Sequence, residues 1–237
     1  MALKKIAQAG RKTLRKVGID VHKYRPQIDR LTWLKSLNIR SVLDVGANTG
    51  QFAEEIRKSL PEAFIYSFEP LNDCFKALEA SRANDAKFKA FNYALGDSDG
   101  TSTINRSSYS LSSSLLPMAD SHKELFPHTK DNTPEKIEVR KMDGIFSEIP
   151  LEENILIKVD TQGYEDRVII GGPNTFSKAK VLIMEVSFVA LYNGQPLFDN
   201  IYQKLKSLGF LYNGSLHQKI NPKTGEVIFE DAIFVRQ

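Results

Sequence analysis

The stretch Ser41–Ile56, SVLDVGANTGQFAEEI, constrains the fold more than any other part of the chain. A short apolar run closes on an acid, breaks into Gly-Ala-Asn-Thr-Gly and resumes with helical spacing. That is the pattern of a buried strand, a tight turn and an amphipathic helix. The alternation then continues. Apolar runs at 64–68, 88–95, 154–159 and 181–186 read as buried parallel strands, and helical patterns at 50–60, 71–83, 164–170 and 197–208 separate most of them. Strands and helices in this order imply βαβ units and a doubly wound sheet. The segments GFLYNGSL and EVIFEDAIFVRQ read as a closing antiparallel pair. Between about 97 and 140 the chain turns rich in Ser, Pro and charge. A segment of this length with apolar anchors (LSSSLLPM, HKELFPH) is expected to be an ordered lid rather than a disordered insert.

Ligands of such sheets bind beyond the C-terminal strand ends, where Asp44–Gly50 falls. Small residues let a ligand approach the backbone and leave helix N-terminal amides free. The Gly46-x-x-x-Gly50 spacing is wider than the dinucleotide Gly-x-Gly-x-x-Gly, and no phosphate-loop Gly-Lys-Ser/Thr follows it. Glu69 ends the next strand, 19 residues past Gly50, where a carboxylate can accept both hydroxyls of a ribose. A loop without pyrophosphate chemistry, followed by a ribose acid, fits S-adenosylmethionine.

With these residues in hand, the chain resembles the FkbM-type S-adenosylmethionine-dependent methyltransferases. The segments that carry the resemblance are LDVGANTGQF, FEPL, ALGDSDG, SSSLLPM, LIKVDTQGYE, LIMEVSFVALYNGQPLF and EDAIFVR, in family order over roughly 38–236. The resemblance implies a class I methyltransferase (Rossmann-like) fold, a seven-stranded mostly parallel sheet with a reversed C-terminal strand, preceded here by an N-terminal helical extension. It implies a hydroxyl acceptor, typically of a sugar or a polyketide-type product. Asp44, Gly46, Asn48 and Gly50 would line the methionine end, Glu69 would hold the ribose, Ala94 and Leu95 would lie near the adenine, and Ala47, Thr49 and Pro70 would complete the cofactor site. One departure stands at VRKMDGIF, where many members read Leu-Asp-Asp; Met142-Asp143-Gly144 keeps a single acid.

Other acceptors fit less well. Base amino groups call for Asn/Asp-Pro-Pro-aromatic after the fourth strand, and Asp160-Thr161-Gln162-Gly163-Tyr164 has no proline. Carbon methylation of pyrimidines needs a nucleophilic Cys, whereas Cys74, the single cysteine, falls in a helical pattern and reads as a buried thiol. For a hydroxyl, the enzyme's work is alignment and proton removal. His122, on the expected lid, is the first choice of base, ahead of His128 and His217. Asp160 and Glu185 close adjacent strands. Three readings stand for this pair: a Mg²⁺ site, direct bonds to sugar hydroxyls, or the securing of neighbouring loops. Tyr164 and Tyr192 follow those strands and read either as faces that stack on the acceptor or as core and rim packing. Lys158 reads as a partner for Asp160 or for a substrate carboxylate, or as a partly exposed strand position.

Charge bears on partners and location. Residues 1–25 carry eight Lys or Arg against Asp20 alone, so a chain of net charge +3 has an acidic body from residue 26 to 237. A nucleic-acid-binding protein would carry its basic charge across its main face, so no nucleic acid is expected. The tail reads either as an amphipathic helix on an anionic membrane through residues 1–20 or as a packed arm. No stretch approaches the roughly 20 apolar residues of a membrane span, and no signal-peptide core is evident, so a cytoplasmic protein, peripheral at the membrane's inner face, is expected. Two other classes remain open: a nicotinamide-dependent oxidoreductase, disfavoured by the missing dinucleotide fingerprint, and a non-catalytic adaptor with the same fold.

Overall fold

The structure is a computed structural model that describes residues 30–237, apart from the side chains of Phe146 and Ser147. The basic tail lies outside the described residues, as does the start of a second helix that Pro26 and the apolar spacing of Ile28, Leu31, Trp33, Leu34 and Leu37 predict. Of that helix, the 3-10 turn Thr32–Leu37 is seen, burying Leu34 and ending on left-handed Asn38. Residues Leu31–Gln237 form one compact unit.

Its centre is a seven-stranded sheet. Strands β1 (Ser41–Val45), β2 (Phe64–Phe68) and β3 (Phe88–Phe91), then β4 (Ala94–Gly96), β5 (Gly100–Ser107), β6 (Asn132–Lys141), β7 (Ile155–Val159), β8 (Ala179–Ser187), β9 (Phe210–Ile220) and β10 (Val227–Arg236) follow in chain order. The large sheet runs β3-β2-β1-β7-β8-β10-β9, with β10 antiparallel to both neighbours and the other pairings parallel. This is the class I methyltransferase order with its reversed strand. Helices α1 (Gln51–Ser59), α2 (Asn72–Ser81), α3 (Asp120–Leu125), α4 (Glu165–Gly171), α5 (Pro173–Lys178) and α6 (Phe198–Ser207) accompany it.

Every residue of β1 and β7 is buried, as expected of parallel strands covered on both faces. Alternate residues serve opposite layers. Leu43, Val45, Ile157 and Val159 pack with Phe176, Phe210 and Phe234, while Val42, Ile65, Leu156 and Ile183 pack with Leu34, Phe52 and Ile56. The register aligns the strand ends: Val45 pairs with Phe68 and Val159, and Val159 with Met184. The next residue on each strand, Gly46, Glu69, Asp160 or Glu185, therefore emerges at one rim.

Three local expectations are corrected. The run 88–95 is two strands, because the Asn92 amide turns inward, donating to the carbonyls of Glu69 (2.9 Å) and Pro70 (3.0 Å). After it β4 joins β5 and β6 in a separate three-stranded sheet. Much of the expected lid is thus an antiparallel hairpin, whose alternating Ile104, Ile137 and Val139 pack on Leu71 and Cys74. Only 108–131 remains between its strands. Helix α5 lacks apolar periodicity and was not expected. Pro173 opens it, and Asp143 caps it, accepting from the amides of Thr175 (2.8 Å) and Asn174 (3.1 Å). The lone acid of VRKMDGIF thus has a capping role.

Helix α4 reaches β4 at Gly171, where an added Cβ would lie 1.8 Å from the Gly96 carbonyl oxygen. Gly171→Ala is expected to destabilise the domain by about 3 kcal/mol, read as a lower urea midpoint at unchanged slope.

Candidate functional site

Two clefts share a wall at the rim. The first has a volume of about 620 Å³ and is floored by Gly46, Asn48, Glu69, Pro70, Ala94 and Leu95. The loop above β1 reaches this shape through left-handed residues at Gly46, Asn48 and Gly50. Gly46 admits no side chain, since its Cβ would stand 1.9 Å from the Asp160 carbonyl oxygen. The backbone amides of Asn48 and Leu71 each donate to one oxygen of Glu69, both at 2.8 Å. Each oxygen keeps a second lone pair for a ligand hydroxyl. Burial pushes the Glu69 carboxyl up to about 7.

The segment between β5 and β6 closes the cleft with Ser110, Leu111, Ser113 and Leu115. It is fastened at several points. Asn48 Nδ2 donates to Ser110 Oγ (3.0 Å), Ser114 Oγ donates to the Gln162 carbonyl (2.6 Å), and Tyr192 Oη lies 3.1 Å from the Ser112 carbonyl.

The expected cofactor residues divide. Gly46, Asn48, Glu69, Pro70, Ala94 and Leu95 line the first cleft, and Ala47 lines the second. Asp44, Thr49 and Gly50 line neither. Asp44 lies fully buried beneath the loop, accepting from Ser67 Oγ (3.1 Å), with its other oxygen unpartnered and burial raising its carboxyl to about 6. Tyr164, expected at the acceptor, instead lines the first cleft and abuts Gly96.

The second cleft, of about 680 Å³, meets the first at Gly46, Asn48, Leu111 and Asp160 and extends to Lys158, His217 and Asp231. Behind Asp160 stands a buried polar knot. Lys158 Nζ donates to Asp160 Oδ2 (2.8 Å), and the Gln162 amide donates to Asp160 Oδ1 (2.8 Å) and Glu185 Oε1 (2.9 Å). Burial opposes a charge on Lys158, but Asp160, Asp44 and Asp231 outweigh it and raise its pKa. Burial, with Asp160 nearby, pushes Glu185 well above the usual carboxylate range.

Asp160, Glu185 and Asp231 each bring an oxygen within 4.8 Å of the others, a spacing open to a metal ion. The donors already in place do not suit Mg²⁺. Each oxygen of Asp160 already accepts one hydrogen bond, and the Lys158 ammonium at 2.8 Å brings a positive charge that would repel a second cation. The pair is neutralised from within the chain.

His122 is corrected as the base. The apolar run Leu125-Phe126 turns α3 inward, leaving His122 2% exposed between the rings of Phe126 and Tyr192, with Nε2 on Thr129 Oγ1 (2.9 Å). Burial pulls its pKa down to about 4, and it lines neither cleft. Tyr192 is corrected too. At 1% exposure it has no free face for a sugar, and its hydroxyl lies 2.9 Å from Gln162 Oε1. The sequence reading missed Gln162, which ties the two acids to the lid, and Asp231. Both sit in segments quoted for the family resemblance, but neither residue type announces its role.

The methyltransferase FkbM domain matches residues 44–212, and the chain belongs to that family. It is 29% identical over 161 residues to the 2-O-methyltransferase NoeI of Sinorhizobium fredii, a match spanning 65% of this chain and 66% of NoeI. It is 28% identical over 174 residues to the AMB antimetabolite synthetase AmbE of Pseudomonas aeruginosa, covering 61% of this chain and 8% of that much longer protein. The crystal structure of the methyltransferase FkbM from Methylobacillus flagellatus shares the fold, with a TM-score of 0.53 at 11% identity over 84% of this chain and 44% of that one.

Glu165 sits wholly buried behind the knot, its Oε1 accepting from the amides of Thr161 and Gly163, and burial raises it to about 7. A raised carboxyl contributes stability below its unfolded pKa and loses it as pH climbs towards 7. Glu165→Gln keeps the accepting oxygen without the charge. It is expected to match the wild type at pH 4 and to exceed it by about 2 kcal/mol at pH 8, measured by urea unfolding at both values.

Proposed function

We propose that the protein transfers a methyl group from S-adenosylmethionine to a hydroxyl of a saccharide in a glycan, glycolipid or other glycosylated product. The observation that carries the reading is the shared wall. A cleft whose Glu69 keeps lone pairs for ribose hydroxyls opens at Asp160 onto a second cleft, where Lys158, His217 and Asp231 stand among apolar residues. When bound, the cofactor supplies a sulfonium methyl, which passes to the acceptor oxygen as the carbon–sulfur bond breaks and its electron pair stays on sulfur.

The chain's part is to hold and align. Glu69 offers its spare lone pairs to the ribose hydroxyls, and Gly46 lets the methionine end approach the backbone. Ala94, Leu95 and Leu115 enclose the adenine. Asp160, held from both sides by Lys158 and Gln162, faces the boundary where donor and acceptor meet. Acceptor, hydroxyl chemistry and metal independence all belong to this proposal. Its support is membership of a methyltransferase family and likeness to a 2-O-methyltransferase.

S-adenosylhomocysteine at a hundred times its Kd is expected to stabilise the fold by about 2.7 kcal/mol, seen as a raised Tm, and Glu69→Ala to lose that response. No shift at saturation would support the adaptor reading. With labelled donor, transfer to a panel of methyl glycosides is expected and is to persist in excess chelator; a chelator-sensitive reaction would restore the metal.

The basic tail is proposed to hold the enzyme at the inner face of an anionic membrane. Vesicles containing phosphatidylserine should bind the full chain in a salt-sensitive manner and fail to bind a chain lacking residues 1–20. Equal binding by the two removes the membrane role.

A further inference from the structure

With His122 locked in the core, the proposed transfer needs another proton acceptor, and the second cleft contains one. We infer that His217, oriented by Asp231, takes the proton from the acceptor hydroxyl; the inference rests on the hydroxyl-methylation reading above.

The sheet register creates the arrangement. Asp231 on β10 pairs with Glu185 on β8 on one side and with His217 on β9 on the other, forming a cross-strand ladder at the C-terminal rim of β8. His217 Nδ1 lies 3.5 Å from Asp231 Oδ2, within ion-pair reach and a few tenths of an ångström longer than a formed hydrogen bond. Leu216 packs into the core beside it and fixes the strand, whereas the His217 side chain is 60% exposed and lines the cleft. A carboxylate on Nδ1 selects the tautomer with hydrogen there and leaves Nε2 with its lone pair. His217 lines the same cleft as Asp160, which also borders the proposed cofactor site.

The step balances. The acceptor oxygen forms its bond to the methyl carbon, the carbon–sulfur pair stays on sulfur, and the hydroxyl proton passes to Nε2. The imidazolium that results sits beside Asp231 and then loses its proton to water. Other histidines fail on position: among the described residues, His128 stacks edge-on against Tyr109 and lines neither cleft.

The test joins two measurements on the full chain. Nitrogen-15 NMR of neutral His217 is expected to show the Nδ1–H form in the wild type and the Nε2–H form in Asp231→Asn. His217→Gln is expected to bind S-adenosylhomocysteine as the wild type does, and to transfer methyl to the methylated glycoside at least a hundredfold more slowly. An Nε2–H tautomer in the wild type overturns the dyad. Full transfer by His217→Gln, or a loss of transfer matched by lost S-adenosylhomocysteine binding, overturns the proton-acceptor role. A wild type that binds S-adenosylhomocysteine but methylates no glycoside counts against the saccharide reading, and the tautomer then decides the dyad alone.

Discussion

The rim is organised by the close approach of two backbones. The Asp160 amide donates to the Val45 carbonyl at 3.0 Å, and the Asp160 carbonyl occupies the space where a Cβ on residue 46 would stand. Only glycine permits this, and it does so in a left-handed conformation. Because β1 and β7 end so close together, the glycine loop and Asp160 form a single partition between the two clefts. Any side chain at 46 would separate the strands and disconnect donor from acceptor.

The polar groups near that partition form a hierarchy set by burial. The deep Lys158 is held among three carboxylates, whereas Glu165, though it accepts from backbone amides of its own loop, is pushed by burial towards its neutral form. Such a knot is rigid, since removing one member would leave another charge buried and unpaired. His217 stands at the exposed margin instead, with its side chain open to the second cleft. The division assigns orientation to the interior and proton traffic to the edge.

How far the chain could be read in advance follows the same line. The main parallel strands and the rim positions of Gly46, Glu69, Asp160 and Glu185 were legible, because buried parallel strands are continuous apolar runs that stop where the rim begins; the reversed strand came from the family resemblance. The lid was half legible. Its Ser and Pro content masked the period-two pattern of Ile137 and Val139, so a hairpin passed for a loop. His122 was misplaced because a histidine in a polar segment carries no mark of which way its helix turns. That direction was set by Phe126 and Tyr192, the latter 70 residues away. His217 and Asp231 meet only through antiparallel register, which no local pattern states.

The serine-rich strap has one further consequence. Its ties to the core run through single hydroxyls, Ser110 to Asn48 and Ser114 to Gln162, and a bond of that kind is worth about 1 kcal/mol net. Such a cover is easily unlatched, and its latches sit on the residues that frame both ligands. The Ser114 tie is made to the backbone carbonyl of Gln162, whose side-chain amide holds Asp160 and Glu185. Cover and acid pair are thus joined through one residue, and under the proposed function a change in the strap would be felt at both clefts.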